Sequence, residues 1–392
     1  MKRVVVGLSG GVDSSVTALL LKQQGYEVIG MFMRNWHDET VTISDDCPWI
    51  DDSNDALLIA QQLDIPFQVI DLSKEYKERI VDYMFGEYKN GRTPNPDILC
   101  NREIKFDVFL KSAIELGADY VATGHYCQKT EHKDGSFGLV AGADPNKDQS
   151  YFLCQLSQEQ LSKALFPIGA ILKPEVRRIA EENGLHTADK KDSQGLCFVG
   201  KISLPIFLQQ KLDPIQGDIV ELPSDLVQYK KYQALKRIED NIELLAAPFV
   251  YTPEMGQVVT SHQGAHYYTI GQRRGLHIGG RPKPSFIVGL NVTSNTVYSG
   301  QTDEHPGLNK HALKIAPEDL HFISSLYNHA NINGLNCNIR IRYRQELQKG
   351  KIIIKDSGVY VLFEAIQRGV TPGQFAAFYI LDELIASGVI AH

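Results

Sequence analysis

A run of small and hydroxyl side chains near the amino terminus has the composition of a phosphate-binding turn. The residues are Ser9-Gly10-Gly11-Val12-Asp13-Ser14. A β-branched run, Val4–Val6, precedes them and an apolar-periodic helix, Val16–Leu21, follows, so the order is strand, turn and helix. Backbone N–H groups and the dipole at a helix start favour an anion, and glycine lets the backbone approach it closely. Neither Gly-Lys-Ser/Thr nor Gly-x-Gly-x-x-Gly is present, so the turn is neither a Walker A loop nor a dinucleotide turn.

Two of the six cysteines stand in surroundings that could make a thiol reactive. Cys100 follows Thr93-Pro94-Asn95-Pro96-Asp97. With Asp97 as the N-cap, Cys100 would lie three residues into a helix, where the dipole lowers the pKa of a thiol. Cys197 lies in a Gly-bounded polar loop after two lysines. This context leaves both residues open as nucleophiles or as small buried hydrophobic groups. The absence of a Cys-x-x-Cys pair argues against a zinc site or a disulfide scaffold.

The elements that must position these residues alternate between strand and helix over roughly the first 200 residues, which predicts a parallel sheet covered on both faces. In such sheets ligands lie beyond the carboxyl ends of the strands. Gly7–Ser14, Met33 and Gly124-His125 fall at such ends. The predicted strands are Arg3–Leu8, Glu27–Phe32, Pro66–Asp71 and Asp119–Thr123, and the predicted helices are Ser14–Gln24, Asp51–Leu63, Ser73–Tyr88, Ile98–Leu116 and Pro174–Asn183.

The pattern changes after Gly200. A short helix, Ser203–Leu212, precedes a polar stretch, and the segment Ser224–Thr252 has the composition of a surface insertion. From Lys283 onward only short alternating runs remain, as in a small β-barrel or sandwich. We therefore expect an α/β chain with three domains: a parallel-sheet domain over 1–202, a small mixed domain over 203–284 with an insertion near 224–252, and a β-barrel over 285–392.

Charge is unevenly distributed along the 392 residues, whose net charge is −7. Residues 1–256 carry a net charge of −11 and residues 257–392 carry +4. No acidic residue occurs between Glu254 and Asp303, and Arg340, Arg342 and Arg344 alternate on a strand-like run, which would place them on one face. This asymmetry favours a polyanion that docks on the carboxyl-terminal part.

The composition is that of a globular protein, with 43% hydrophobic and 22% charged residues. The sequence has no apolar run long enough to span a bilayer and no signal peptide after Met1. We therefore expect a cytoplasmic protein without a membrane partner. In a reducing compartment its cysteines should be thiols, and any disulfide should be catalytic or transient.

Several motifs occur together in an order that resembles bacterial tRNA-specific 2-thiouridylases, members of the PP-loop ATP pyrophosphatase superfamily. The resemblance runs from residue 3 to about residue 381, and the segment 224–252 is longer than expected. The motifs are the Ser-Gly-Gly-x-Asp-Ser turn, the Thr93–Asn101 segment, Ala122–Tyr126, Lys147–Leu153, Ser193–Phe198, His266–Leu276, Arg342-Tyr343-Arg344 and Thr371–Gln374.

The resemblance implies ATP-dependent replacement of O2 of a wobble uridine by sulfur, through adenylation and a protein-bound persulfide. It implies that Cys197 carries the persulfide, that Cys100 is the second catalytic cysteine, and that Asp97 is a general acid or base. The two cysteines would form a transient disulfide. The implied ATP-binding residues are Gly7, Leu8, Ser9, Gly10, Gly11, Val12, Asp13, Ser14, Met33 and Gly124. The implied tRNA contacts are Asn95, Pro96, Asp97, His125, Lys147, Asp148, Gln149, Arg342, Tyr343 and Gln374.

The resemblance also implies partners. These are tRNAs of the Lys, Glu and Gln type, and a cysteine desulfurase or a sulfur-relay protein as donor. ATP would be accompanied by Mg²⁺, although no motif names its ligands. We expect a monomer.

Three alternatives remain at this stage. A small-molecule ligase of the same superfamily would need neither Cys100 nor Cys197. A non-enzymatic RNA-binding or sulfur-carrier protein would not need the phosphate turn. In a third, Asp97, Cys100 and Cys197 hold an iron–sulfur cluster that activates sulfide.

Overall fold

Three ranges of the chain, residues 1–35, 48–191 and 204–391, are described by the structure, which is a computed structural model. Cys47 and Cys197 lie outside these ranges, so the expectations for the Cys197 loop are not addressed by the structure. No helix in the described ranges is long and apolar enough to cross a membrane.

Eighteen strands form three sheets in the described residues. They are β1 Arg3–Gly7, β2 Glu27–Arg34, β3 Phe67–Asp71, β4 Tyr120–Ala122, β5 Cys127–Glu131, β6 Phe137–Ala141, β7 Ala164–Leu165, β8 Gly217–Glu221, β9 Gln257–His262, β10 Ser285–Asn291, β11 Thr296–Gln301, β12 Asn309–Ile315, β13 His321–Phe322, β14 Asn336–Arg340, β15 Gln348–Lys355, β16 Gly358–Arg368, β17 Phe375–Ile380 and β18 Glu383–Val389.

The helices lie mostly in the first half of the chain. They are α1 Val12–Gln23, α2 Pro48–Gln62, α3 Ser73–Tyr76, α4 Asp82–Lys89, α5 Pro96–Leu99, α6 Phe109–Glu115, α7 Gln158–Lys163, α8 Lys173–Glu182, α9 Leu204–Leu208, α10 Val227–Gln233, α11 Ile242–Ala246 and α12 His329–Ile332. Two π-helical stretches, Lys77–Val81 and Cys100–Val108, join α3 to α4 and α5 to α6.

The first sheet is parallel, in the order β3-β2-β1-β4-β7. Its central strand β1 is fully buried at Val4, Val5 and Val6, as expected for β-branched residues covered by helices on both faces. The predicted α/β class is confirmed. The predicted strands and helices of this region are present, with ends that differ by at most three residues.

The second sheet is mixed, in the order β10-β11-β8-β9. The strand pairing does not follow the expected domain boundary at 284/285. Strands β10 and β11 lie after that boundary but pair within this sheet and not with the later strands. Turn residues between short strands do not reveal which sheet each strand joins. The pairing moves the boundary beyond Gln301.

The third sheet is antiparallel, and six of its strands form a closed barrel in the order β12-β16-β15-β14-β17-β18. A bridge between Ile315 and Ile390 and the hydrogen bond from the Ala391 N–H to the Lys314 carbonyl, 2.8 Å, close it. The predicted carboxyl-terminal β-rich unit is confirmed. The β5–β6 hairpin, expected around Lys133-Asp134-Gly135, extends this sheet by pairing with β18, so the first and third units share one sheet.

The segment 224–252 was expected to be a surface insertion, and most of its residues are exposed, but a few of its side chains are part of the core. Tyr229 is 1% exposed, and Ile242 and Leu245 are fully buried. Ile242 and Leu245 pack with Ala312 and Tyr360 of the barrel, whereas Tyr229 packs with the mixed sheet. The helical period of these residues was hidden by surrounding polar residues, and the segment joins the second unit to the third.

Candidate active site at the carboxyl ends of the parallel strands

The phosphate turn connects β1 to α1 through a backbone that requires glycine. Gly10 has φ +70°, and a Cβ there would lie 2.2 Å from the Asp52 carbonyl oxygen. Gly11 is the N-cap of α1, and it has no side chain that could accept a hydrogen bond from the first turn of the helix. The first turn of a twelve-residue helix is therefore open for an anion.

Serine hydroxyls hold the shape of this turn. The Ser14 hydroxyl accepts the Ser9 N–H at 3.1 Å and donates to the Gly11 carbonyl at 3.0 Å. The Ser15 hydroxyl donates to the same carbonyl at 2.9 Å and accepts from Thr187 at 2.9 Å. Because these hydroxyls are committed to the turn, its backbone N–H groups are the preorganised anion donors.

Neighbouring strand ends converge on the turn. A Cβ on Gly124, after β4, would lie 2.8 Å from the Asp13 backbone carbon, and a Cβ on Gly7 would lie 3.4 Å from Cε of Met33. Met33, at the end of β2, is 6% exposed. The structure thus brings together the three strand ends that the sequence singled out, and it makes Gly124 a close-approach position.

A buried lysine reaches the turn from a distant part of the chain. The Lys173 Nζ donates to both carboxylate oxygens of Asp13, at 2.8 and 2.9 Å, and the Tyr126 hydroxyl donates to Asp13 Oδ1 at 2.7 Å. Lys173 is 7% exposed. Sequence reasoning missed this contact because a lysine at the start of a helix carries no motif and is 160 residues from its partner.

The helix that carries Cys100 begins at Pro96. Asn95 is its N-cap, accepting the Ile98 N–H at 3.3 Å, and Asp97 occupies the first turn. The expectation that Asp97 is the N-cap was wrong, because a proline suits the first helical position and so moves the cap to the residue before Pro96. Cys100 is fully buried as the fifth residue of the helical run.

His125 follows Gly124 and lies between aromatic rings. Its Nδ1 is 2.7 Å from the Thr123 hydroxyl, and the rings of Phe106 and Phe166 have centroids 6.4 Å from its own. Burial, followed by the charge of Lys105, lowers the pKa of His125 well below its usual value. The imidazole is therefore neutral at neutral pH and presents a hydrogen-bonding ring beside the strand ends.

The Lys147-Asp148-Gln149 motif contributes side chains that differ in exposure. The Asp148 carboxylate is buried, forms an ion pair with Arg340 at 2.6 Å and accepts from the Gly142 and Ser150 N–H groups at 3.0 Å each. Gln149 accepts the Tyr126 N–H at 3.0 Å. Lys147 is half-buried. Asp148 and Arg340 are thus an internal pair that joins the first unit to the barrel.

The arginines expected on one strand face have three different environments. Strand β14 ends at Arg340, so the expected alternation along Leu335–Arg344 is wrong beyond that residue. Arg342 donates to the Gly369 carbonyl and, at 3.1 Å, to the Thr371 hydroxyl. Arg344, at φ +64°, is exposed in a turn. Tyr343 packs on Phe152, with ring centroids 4.4 Å apart.

Gln374 binds the segment that leads to the Cys100 helix. Its Nε2 donates to the carbonyls of Thr93 and Pro94, at 2.8 and 3.1 Å. The Thr93 N–H donates to the Pro372 carbonyl at 2.9 Å, and a Cβ on Gly373 would lie 2.9 Å from the Thr93 carbonyl oxygen. The barrel therefore holds the entry to the Cys100 helix directly.

The remaining described cysteines are buried thiols in the core. Burial raises the pKa of Cys154 and of Cys337 to about 12 each, and it raises the pKa of Cys127 as well. The raised pKa values favour the protonated form of these three thiols, which is a poor nucleophile. In the described ranges no group of three or more His, Cys, Asp or Glu side chains could hold a metal ion.

A parallel sheet with an open phosphate turn after its first strand defines an α/β nucleotide-binding domain. Family models match the chain in succession. The tRNA methyl transferase HUP domain matches residues 2–201, the tRNA methyl transferase PRC-barrel domain residues 246–301, and the aminomethyltransferase beta-barrel domain residues 314–390.

Curated relatives are similar over the whole chain. The tRNA-specific 2-thiouridylase MnmA of Flavobacterium johnsoniae is 59% identical and that of Christiangramia forsetii is 58% identical, each covering 100% of both chains. The protein of the same name from Karelsulcia muelleri is 46% identical, over 100% of this chain and 99% of its own. This chain belongs to the tRNA-specific 2-thiouridylase family of sulfurtransferases.

Proposed function

We propose that this chain uses ATP to replace O2 of the wobble uridine of tRNA with sulfur, giving 2-thiouridine, AMP and pyrophosphate. Family membership supports the reaction class. The structural observation that carries the proposal is the packing of the helical run that contains Cys100 against the end of β1, where the phosphate turn starts. A Cβ on Gly7 would lie 3.7 Å from Cζ of Phe109, and Phe106 of the same helical run contacts His125. This packing supports a site in which the nucleotide and the sulfur chemistry are neighbours.

The first step solves a leaving-group problem. The C2 carbonyl of uracil is urea-like, and its oxygen does not leave when sulfur attacks directly. In our proposal O2 attacks the α-phosphorus of ATP, pyrophosphate leaves, and the oxygen becomes part of an AMP leaving group. The residues from Gly7 to Ser14 bind the phosphates, while Met33 and Gly124 contact the adenosine. Mg²⁺ would accompany the nucleotide, as is usual for ATP.

The second step transfers sulfur. The terminal sulfur of a Cys197 persulfide attacks C2, and AMP leaves with the former O2. The Cys100 thiol then attacks the Cys197 sulfur, the S–S bond breaks, and 2-thiouridine leaves with the thiol proton. Alternatively, Cys100 first releases hydrosulfide from the persulfide, and the hydrosulfide attacks C2. Both routes leave a Cys100–Cys197 disulfide that a two-electron reductant resets.

The target uridine must be flipped out of the anticodon stack to reach this pocket. We assign its contacts to Asn95, Pro96 and Asp97, with the neutral ring of His125 beside the nucleotide. Asp97 is our candidate general acid or base. Its half-buried place in the first helical turn is compatible with proton transfer because the cap is supplied by Asn95.

The proposed RNA-binding residues divide by how strongly their side chains are bonded within the protein. Lys147, Gln149 and Tyr343 are partly exposed and remain direct tRNA contacts in our proposal. The internal bonds of Asp148, Arg342 and Gln374, described above, favour positioning roles for these three residues, which hold the RNA-facing loops. As partners we propose tRNAs of the Lys, Glu and Gln type and a cysteine desulfurase or relay protein as sulfur donor. We further propose that the protein acts as a monomer in the cytoplasm.

The iron–sulfur alternative differs only in the sulfur step. It requires Asp97, Cys100 and Cys197 as ligands, and Cys197 lies outside the described residues. Iron content and a visible charge-transfer band in anaerobically purified protein distinguish this alternative from the persulfide route.

Serine substitutions at the two cysteines test the order of the steps. Cys197→Ser and Cys100→Ser should each reduce 2-thiouridine formation by more than about 100-fold, because each removes a required sulfur atom. Both variants should keep tRNA-dependent formation of AMP from ATP. The measurements are nucleoside mass spectrometry for thiolation and chromatography of adenine nucleotides for AMP.

Cys337→Ala is the matched control, because this thiol is buried in the barrel away from the pocket. It should retain both activities. Loss of AMP formation together with thiolation in Cys197→Ser would contradict adenylation before sulfur transfer.

A further inference from the structure

The nucleotide turn lacks the lysine that many phosphate-binding loops carry within their own motif. Its residues are glycines, serines, apolar residues and one acid, Asp13. A polyphosphate there would meet backbone N–H groups and a carboxylate of its own sign. Hence a positive charge has to come from elsewhere in the chain if the turn is to bind pyrophosphate well.

Lys173 is placed to supply that charge. Its Nζ lies 2.8 Å from Asp13 Oδ1, on the second residue of α1, and thus at the helix end that would face the anion. The Lys173 side chain is 9% exposed and that of Asp13 is 32% exposed. The ammonium group is therefore the more deeply buried partner of the pair, and the carboxylate is the more exposed one.

The position of Lys173 is rigid. Its backbone N–H donates to the carboxylate of Asp144 at 3.0 Å, which fixes the start of α8. Val176 and Ala180 of the same helix are fully buried in the core that contains Val12 and Val16 of α1. The lysine stem is thus anchored by the packing of two helices, and Nζ is 5.7 Å from the Tyr126 ring centroid.

A stability role alone explains this arrangement poorly. Burying an ammonium group costs free energy that pairing with a carboxylate repays only in part, so apolar residues of similar volume are often as stable. A buried lysine at the foot of a phosphate turn is useful where an anion with several charges binds, because its charge acts there at low dielectric.

We propose that Lys173 binds the pyrophosphate portion of the nucleotide triphosphate, and that Asp13 and Tyr126 orient its Nζ toward the turn. The inference rests on the proposed use of ATP and adds a binding residue to that site. The lysine that binds the phosphates would thus come from α8 and not from the turn itself.

Binding of three probes to the purified full-length protein tests the proposal: inorganic pyrophosphate, ATP and AMP, each with Mg²⁺. Lys173→Met should weaken pyrophosphate and ATP binding by about 10- to 100-fold, the usual worth of one charge-assisted hydrogen bond. AMP binding should change by less than about twofold, since AMP lacks the pyrophosphate portion. Lys173→Arg should recover part of the affinity.

Two further variants separate binding from folding. Lys173→Gln keeps a hydrogen-bond donor for Asp13 without the charge, and we expect it to fold and still to lose pyrophosphate affinity. Arg178→Met, on the exposed face of the same helix, should bind all three probes like the unchanged protein. Thermal unfolding of each variant reports its fold.

The proposal would be overturned if a folded Lys173→Met or Lys173→Gln protein bound pyrophosphate as tightly as the unchanged protein. An equal loss of AMP and pyrophosphate affinity would overturn it too, because it would indicate a general distortion of the turn. Absence of tRNA-dependent AMP formation in the unchanged protein would count against the proposed function, whereas the pyrophosphate result concerns Lys173 alone.

Discussion

The phosphate turn and the barrel end around Arg340 and Gln374 are built in different ways. Hydroxyl groups within residues 9–15 hold the turn, and its partners lie mostly within a few residues. At the barrel end, Arg340 bonds to Asp148 across 192 residues and Gln374 to Thr93 across 281 residues. A local motif therefore reveals its chemistry in the sequence, whereas the role of an isolated charge depends on a partner that the sequence does not name.

The largest effect that would test this contrast is at the internal ion pair. Arg340→Met should lower the free energy of unfolding by about 3–5 kcal/mol, because it leaves the Asp148 carboxylate buried without its partner. The side chains are 11% and 4% exposed. Urea unfolding measures the change.

Arg368→Met is the matched control, because the Arg368–Asp303 pair is more than half exposed. It should cost no more than about 1 kcal/mol. A stable Arg340→Met protein that loses only tRNA affinity would return Arg340 to the RNA surface and weaken the contrast.

The next effect concerns the turn. Gly10→Ala should reduce AMP formation by on the order of 100-fold, since the new Cβ would displace the backbone on which phosphate binding depends. Gly25→Ala is the control, because Gly25 has φ +84° and no atom within 4 Å of the added Cβ. Equal activity in the two variants would show that the turn tolerates the shift and does not position phosphate.

A smaller effect tests the link between barrel and pocket. Gln374→Ala removes two hydrogen bonds to the Thr93 and Pro94 carbonyls, each worth about 0.5–1.5 kcal/mol. We expect about tenfold slower thiolation with a tRNA dissociation constant changed by less than about twofold. Gln348→Ala is the control, because it removes bonds to Glu346 and Gln367 within the barrel and none to the Thr93 segment, and it should leave thiolation unchanged. A purely weakened tRNA affinity would instead make Gln374 a direct RNA contact.

The smallest effect is expected at an exposed charge. Arg344→Ala should weaken tRNA binding a few-fold and reduce the salt dependence of binding by about one phosphate contact. Lys77→Ala removes an exposed charge from the acidic first unit and should leave binding unchanged. Filter binding over a salt series measures both, and identical slopes for the two variants would remove Arg344 from the RNA surface.

Much of the fold was predictable because it follows from local patterns. Val4–Val6, the glycine turn and the helix after it specify strand, turn and helix within about 20 residues, and each was present. The barrel was predictable as a class from its alternating runs. Its closure through Ile315 and Ile390, and the β5–β6 hairpin that extends its sheet, depend on long-range pairing that no local pattern encodes.

The candidate site was predictable where a residue belongs to a motif. Gly124 and His125 follow β4 at the strand ends, as their motif indicated. Cys100 is fully buried as the fifth residue of its helical run, and its role stays a prediction. Lys173 could not be found from its type and spacing, since only the packing of α8 on α1 brings it to Asp13. The assignment of Asp97 as the cap failed for a local reason, the preference of proline for the first helical position.

The most direct test of the account is nucleotide analysis of the full-length protein incubated with ATP, with and without unmodified tRNA that carries a wobble uridine. The account predicts AMP and pyrophosphate as products and a large stimulation by the tRNA, because chemistry at the turn requires the RNA held beside it. Release of AMP at the same rate without tRNA, or formation of ADP and phosphate instead, would contradict it.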